Sequence, residues 1–397
     1  MAREGRLLER RYGAKAANRV DVYLPPAQAA ARAEANALRP PMSTVSASSR
    51  PPAPVPCVLF VPGGVWVNCE AWQYSLLASR LADEGAVAAV MQYTTFPYAQ
   101  QGEMSREVGQ ALDWLRAEAS ALGGDPGRIT LLAHSAGCQL ASSELLRRAL
   151  KAAELHATAA TDAGEYTGDT GINTATPWQP HAFVGMSGVY DIAAHFEHEL
   201  SRGVAHVSTM RPACGFEEGF AEASPALRLR EAYARAPEAA REALCLALPR
   251  CVLMSSRSDV VVPPAASERL VESFEAVGAR HKVTHLAYER IGHADFAVGW
   301  HPSAPQCDAS ALDEAPLLVS RAAQAVRARR RLRAGGGSGD VVADAACTLA
   351  PVADALAMVL GAAPAQLVPP GRLDRASAAP AARPAGPSNG GAADVSA

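Results

Sequence analysis

Two rhythms of apolar residues alternate along this chain. Short solid runs at Cys57–Val61, Ala86–Tyr93, Arg128–Leu132, His181–Ser187 and Arg250–Ser255 hold few polar positions. Runs this short, rich in β-branched residues and bounded by Gly, Pro or polar residues, predict strands buried on both faces. Asn18–Leu24 instead alternates polar and apolar side chains, as a strand with one wet face does. His281–Tyr288 predicts the last strand. Between the strands, Glu70–Glu84, Glu103–Leu122, Cys138–Leu146 and Ala265–Val277 predict helices, with Gly123-Gly124 as a stop signal for the second. Strands and helices taken in turn predict an α/β architecture, a mainly parallel sheet with helices on both faces.

The rhythm breaks in four places. Residues 26–56 are rich in Ala, Pro and Ser, and residues 155–178 in Thr, Gly, Asp and Asn; both predict flexible insertions. Residues 191–246 predict mostly helix, inserted between two strands where a cap would sit over one end of the sheet. The C-terminus changes character again. Leu312–Arg333 predicts a closing helix ending in the basic run Arg327–Arg333, followed by the linker Gly335–Gly339. Val341–Ala363 is apolar, but Asp344, Pro351, Asp354 and Gly361 argue for a short amphipathic helix over a membrane span. Residues 369–397 are mostly Ala, Pro, Gly and Ser. The expected organisation is therefore one α/β domain over 1–333 and a low-complexity, largely disordered tail over 334–397.

Composition narrows the function classes. The net charge of −3 over 397 residues gives no pull towards nucleic acid. The basic run reads first as a solvated helix face and second as peripheral contact with an anionic membrane surface. The eight cysteines are scattered without a C-x-x-C pair, so neither a zinc site nor a disulfide framework is indicated. Met1–Arg6 holds no apolar signal core, and a cytoplasmic setting, with peripheral contact to an intracellular membrane as the variant, is the expectation. Oligomeric state is open.

Candidate chemistry centres on Ala133-His134-Ser135-Ala136-Gly137, between the strand Arg128–Leu132 and the helix from Cys138. A serine on a tight strand-to-helix turn flanked by small residues is a nucleophile elbow. Alone, so short a string reads equally well as an ordinary turn. Three further features stand in order around it. Pro62-Gly63-Gly64-Val65-Trp66 follows a strand, where two glycines let backbone amides of Gly63 and Gly64, with Ala136, hold an oxyanion. Asp259 is the only acidic residue on the loop after Arg250–Ser255. His293, one of ten histidines, follows Ile291-Gly292 just past the last strand. The chain order Ser, Asp, His is the one the α/β-hydrolase fold imposes. Residue types then set the roles: Ser135 as nucleophile, His293 as base, Asp259 to orient the imidazole, and no metal or organic cofactor.

With these residues in place, the chain resembles the plant-type isoprenylcysteine α-carbonyl methylesterases, within a wider group of carboxylesterases and kynurenine formamidases. The likeness rests on Tyr12-Gly13, Asn18–Pro25, Gly63–Trp66, Phe96-Pro97, Gly123–Ile129, His134–Gly137 and Ser187–Asp191, and above all on His195-Phe196 followed by Arg202-Gly203. Gln92-Tyr93-Thr94 stands where the family has Asp-Tyr-Arg, and Ala133 where it has Gly. The resemblance implies hydrolysis of the methyl ester on a prenylated C-terminal cysteine. It also implies that Trp66, His134, His195 and Phe196 line a substrate pocket. The residues alone point to an acyl hydrolase acting on a small-molecule or prenylated-peptide ester. An arylformamidase, a short-acyl carboxylesterase, or a non-catalytic binding protein on the same fold remain as alternatives.

Overall fold

A computed structural model describes residues 6–37, 52–162 and 178–298, together with Ala355, Met358 and Val359; side chains are described except those of Ala37, 157–162 and Val298. The strands are β1 (Leu7–Arg11), β2 (Arg19–Tyr23), β3 (Val55–Val61), β4 (Val87–Met91), β5 (Gly124–His134), β6 (Ala182–Met186), β7 (Cys251–Ser256) and β8 (Val283–Tyr288). They form one eight-stranded sheet in the order β1-β2-β4-β3-β5-β6-β7-β8. β1 and β2 run antiparallel at one edge; every pairing from β4 to β8 is parallel. The solid apolar runs become the central strands because both their faces are covered. β4, β6 and β7 are buried at every position.

The helices are α1 (Pro26–Ala37), α2 (Ser75–Asp83), α3 (Gln101–Glu118), α4 (Ala136–Asp162), α5 (Ile192–Ser201), α6 (Met210–Ala213), α7 (Phe216–Gly219), α8 (Pro225–Arg235), α9 (Glu238–Ala247), α10 (Pro264–Ala276) and α11 (Asp295–Val298). One face of the sheet packs α3, α4, α8 and α10 through residues such as Leu59, Leu131, Leu112 and Leu140. The other packs α2 and α11 through Phe60, Val90, Leu77 and Phe296. The region between β6 and β7 holds α5 to α9, where the sequence predicts a cap.

Several boundaries differ from the sequence expectation. The strand β1 extends the sheet upstream of Tyr12; its side chains are mostly exposed, so the hydrophobic pattern carries no sign of it. The segment predicted as a flexible insertion from residue 26 opens with α1, an Ala-rich stretch that favours helix over coil. Helix α4 runs on into the second predicted insertion before the described residues stop. The first expected insertion also ends early, since β3 begins at Val55; residues 38–51 and 163–177 of the two insertions, the helix expected over 312–333, the basic run and the glycine linker lie outside the described residues. In the tail, Ala355, Met358 and Val359 are helical and share one face, spaced i, i+3, i+4. Ala355 and Val359 are buried in the same apolar cluster as Ile291 and Phe296. Three residues of the segment expected to be a disordered tail thus belong to or pack against that cluster. Among the described residues no helix is long and apolar enough to cross a membrane.

Candidate active site

The site is built where β5 ends. His134 is the last residue of β5 and Ala136 the first of α4, so Ser135 alone makes the turn. It does so at φ +54°, a left-handed conformation rare for a residue with a side chain. Strain of this kind costs on the order of 1–3 kcal/mol and persists only where the surroundings over-determine it. Here they do. A Cβ on Gly137 would stand 2.3 Å from the Val61 carbonyl and 2.6 Å from that of Pro62, so α4 can cross the end of β3 this closely only with glycine. On Gly63, a Cβ would fall 2.9 Å from the Ser135 Cβ, so the loop after β3 lies directly against the serine.

Three distant loops meet at this turn. His293 Nε2 is 2.9 Å from Ser135 Oγ, and His293 Nδ1 is 2.8 Å from Asp259 Oδ2. Asp259 is 3% exposed. Burial alone would raise its carboxyl pKa. The His293 imidazole outweighs that, helped by the Ser187 hydroxyl and the Val262 N–H, and the net shift is downward. Asp259 is thus a carboxylate and accepts from its neighbours. His293 Nδ1 must carry the proton, which leaves Nε2 to accept from Ser135 Oγ–H. The other carboxylate oxygen, Oδ1, accepts from Val261 N–H at 2.8 Å and Val262 N–H at 2.9 Å. Every lone pair that could swing Asp259 away from His293 is occupied.

The amides expected at an oxyanion sit differently from one another. Ala136 opens α4, so its N–H is one of the four that a helix leaves without an internal partner. The positive end of the helix dipole lies at the same point. After β3, Gly64, Val65 and Trp66 all have positive φ, at +126°, +47° and +63°. The chain doubles back there, and the Gly64 carbonyl accepts from Val67 and Asn68, both at 3.0 Å. The loop that carries Gly63 and Gly64 thus lies beside Ser135 and the first turn of α4.

Residues expected to line a pocket separate into scaffold and surface. Trp66 is 1% exposed; its Nε1–H donates to Gln139 Oε1 at 3.0 Å, and Gln139 Nε2 donates in turn to the Ala223 carbonyl at 2.9 Å. The indole pins the loop after β3 to α4 and the region before α8, beneath the site. His134 is also buried. Its Nε2 lies 3.0 Å from the His293 carbonyl, which can only accept, so Nε2 carries the proton. Burial pushes its pKa down to about 3, with the neighbouring His293 adding to the shift, and it stays neutral. Its position holds the backbone of His293. Phe196 is half-buried and meets Phe220 edge-on at 5.3 Å. His195 is buried on the inner face of α5.

Sequence reasoning assigned no chemical part to Ser187. It directly follows β6, at φ +48°, and its hydroxyl donates to Asp259 Oδ2. The Ser-Gly pair directly after a buried strand was the available signal. Ser256 was missed too; its Oγ accepts from Ile291 N–H at 3.0 Å and Ser258 N–H at 3.3 Å, tying the acid loop to the histidine loop. Among the described residues no group of His, Cys, Asp and Glu is placed to hold a metal ion.

Sheet order, the strained serine between β5 and α4, and the loops carrying Asp259 and His293 define the α/β-hydrolase fold. Solved structures agree. An inhibited esterase B from Lactobacillus rhamnosis superposes with a TM-score of 0.53 at 16% identity, over 82% of this chain and 85% of that one. The family described as BD-FAE, a family of α/β hydrolases, matches residues 45–201. In sequence the chain resembles the isoprenylcysteine alpha-carbonyl methylesterases. It is 28% identical to the probable methylesterase ICMEL2 of Arabidopsis thaliana and 29% identical to the methylesterase ICME of the same plant. Both matches cover 72% of this chain and 56% of the relative. The chain thus spans about half the length of the curated relatives it matches. Esterase LipC of Mycobacterium tuberculosis is 29% identical over 66% of this chain and 58% of its own length.

Proposed function

We propose that this protein is a serine carboxylic-ester hydrolase and that its substrates are methyl esters of prenylated C-terminal cysteines. The observation that carries the first part is the continuous relay Ser135–His293–Asp259 at 2.9 and 2.8 Å, set on a strained turn at a helix N-terminus. In this reading Ser135 Oγ attacks the ester carbonyl while its proton passes to His293 Nε2. The carbonyl electrons move onto oxygen, and N–H groups of Gly63, Gly64 and Ala136 hold the oxyanion. His293 returns the proton to the departing alkoxide, so methanol leaves and an acyl-serine remains. Water, deprotonated by His293, attacks that ester, and Ser135 leaves with the proton. Loss of one oxyanion donor typically costs roughly 10²–10³ in kcat.

The substrate part is supported by the named relatives and by exposed apolar residues on segments that adjoin the relay. Val65 after β3, Val207 in the region after α5, and Val260 beside Asp259 are all exposed, Val207 and Val260 by 70% and 67%. Thr209 Oγ1 donates to the Val65 carbonyl at 2.6 Å, and His198 Nε2 lies 3.1 Å from the Val260 carbonyl. The loop after β3, the segment after α5 and the acid loop thus each carry an exposed valine, and hydrogen bonds tie α5 and the segment after it to the other two. A prenyl chain laid there gains about 0.8 kcal/mol per methylene taken from water. The test compares kcat/KM for S-farnesyl-cysteine methyl ester and S-methyl-cysteine methyl ester. The expected result is a gain of at least about a hundredfold with the farnesyl group. Equal values leave a short-acyl esterase, the second reading, which the likeness to esterase LipC favours.

A further inference from the structure

The inner face of α5 carries polar groups that the proposed relay does not use. Ile192, His195 and Glu199 form the buried side of this helix. The side chains of His195 and Glu199 are 6% and 8% exposed and lie one turn apart. Glu199 Oε1 accepts from Ser208 Oγ at 2.9 Å. Glu199 Oε2 and His195 Nδ1 have no hydrogen-bond partner among the described residues, and both atoms are out of reach of bulk solvent. The imidazole and carboxylate do not satisfy each other, since His195 Nε2 is 3.8 Å from Glu199 Oε1. A buried carboxylate oxygen left unpaired is costly, and such a group in a native fold calls for a donor.

The surroundings say where that donor comes from. Helix α5 is tied to the acid loop through His198 and the Val260 carbonyl. The segment that follows α5 is tied to the loop after β3 through Thr209 and the Val65 carbonyl. His195 is close enough to the relay for the charges of His293 and Asp259 to act on it. Helix α5 and the segment after it are thus anchored to the two loops that flank Ser135.

We infer that Glu199 and His195 form a polar subsite that recognises a hydrogen-bond donor on the acyl side of the substrate, next to the reacting carbonyl. An N–H on the α-carbon, whether ammonium or amide, has this chemistry; Glu199 Oε2 accepts from it, and His195 packs alongside with Nδ1 as the second polar contact. This rests on the ester-hydrolase reading and adds to it that the substrates are aminoacyl esters. The same geometry disfavours plain fatty acyl esters, which would bury Glu199 Oε2 without a partner.

The experiment uses three methyl esters with one farnesyl-thioether tail: S-farnesyl-cysteine (ammonium), N-acetyl-S-farnesyl-cysteine (amide), and the des-amino analogue 3-(farnesylsulfanyl)propanoate. Wild-type protein is expected to favour at least one nitrogen-bearing ester over the des-amino ester by about tenfold or more in kcat/KM. Whichever of the ammonium and amide gains more identifies the donor. Glu199→Gln should shrink that preference at least fivefold, mainly through KM. Equal kcat/KM for all three esters in the wild type overturns the subsite without any variant having to fold. So does a Glu199→Gln protein that loses the same factor on all three. Repeating the comparison with S-methyl thioethers separates the two readings: failure of the prenyl preference removes the proposed substrate but leaves the nitrogen preference to be read.

Discussion

The Ser135–His293–Asp259 relay and the inner face of α5 are both largely buried and polar, and they solve burial in opposite ways. At the turn the polar atoms of the relay are paired within the protein: Asp259 alone accepts from His293, Ser187, Val261 and Val262. On α5, Glu199 Oε2 and His195 Nδ1 are left open. A reacting group gains from being held in one geometry before substrate arrives, because orientation is then not lost as entropy at the transition state. A recognising group gains from being incomplete, because the right ligand then pairs an open polar atom and the wrong one does not. Rigidity and vacancy are set one cap helix apart.

The comparison breaks most visibly at the serine. Ser135→Ala should lower kcat by at least about 10⁴ and abolish labelling by a fluorophosphonate, with the fold intact; near-normal turnover would remove the relay from the mechanism. Asp259→Asn should cost about 10⁴ by allowing the wrong imidazole tautomer. Its signature is a kcat loss with little change in KM, and a change confined to KM would count against the role given to Asp259.

Stability measurements sharpen the contrast between holding and recognising. Trp66 fills the base of the site, so Trp66→Ala should destabilise by about 3–5 kcal/mol in denaturant titration. A milder change with a large rise in KM would make Trp66 a pocket wall after all. Ending the chain at Ala334 tests the support of the histidine. Ile291 and Phe296 flank His293 and pack in the cluster that holds Ala355 and Val359. Composition alone predicts no effect of that truncation; the packing predicts a lower Tm and a reduced kcat. Unchanged values for both would return 355–359 to the tail.

The smallest effect is a pH dependence of stability. Burial pushes the imidazole pKa of His134 down to about 3 and those of His195 and His285 down to about 4, from 6.5. Between pH 4 and 6.5 the unfolded chain binds protons at these sites that the folded protein refuses. Their contribution is therefore fully present above pH 6.5 and is lost as pH falls towards 4. His285 is bonded to Ser255 at 2.7 Å and lies on β8, outside the relay. Replacing it in His285→Gln should flatten the loss of stability between pH 7 and 4.5 by about 1–2 kcal/mol. An unchanged slope in urea titrations across that range would show that His285 is protonated without cost in the fold.

Much of this protein was legible before folding. The solid strands β3 to β7 were readable because strands buried on both faces need unbroken apolar runs. The order Ser135, Asp259, His293 was readable because each stands just past a strand end, where the fold places reacting groups. β1 was not, since an exposed edge strand needs backbone pairing and little hydrophobicity. Trp66 carried the right neighbours without the detail: proximity to the oxyanion loop does not reveal that the indole donates to Gln139.

By itself the sequence determined which residues are chemically able to react and on which elements they ride, because side-chain chemistry and the period of apolar positions are local properties. Only the tertiary structure decided which of them meet. The Asp259–His293 contact joins residues 34 apart in sequence and the Ser135–His293 contact residues 158 apart. Ser187, 72 residues from Asp259, and the open face of Glu199 and His195 carry no local mark at all. Partners across such distances are chosen by sheet register and by which faces remain to be covered, and those are set by the packing of the whole chain.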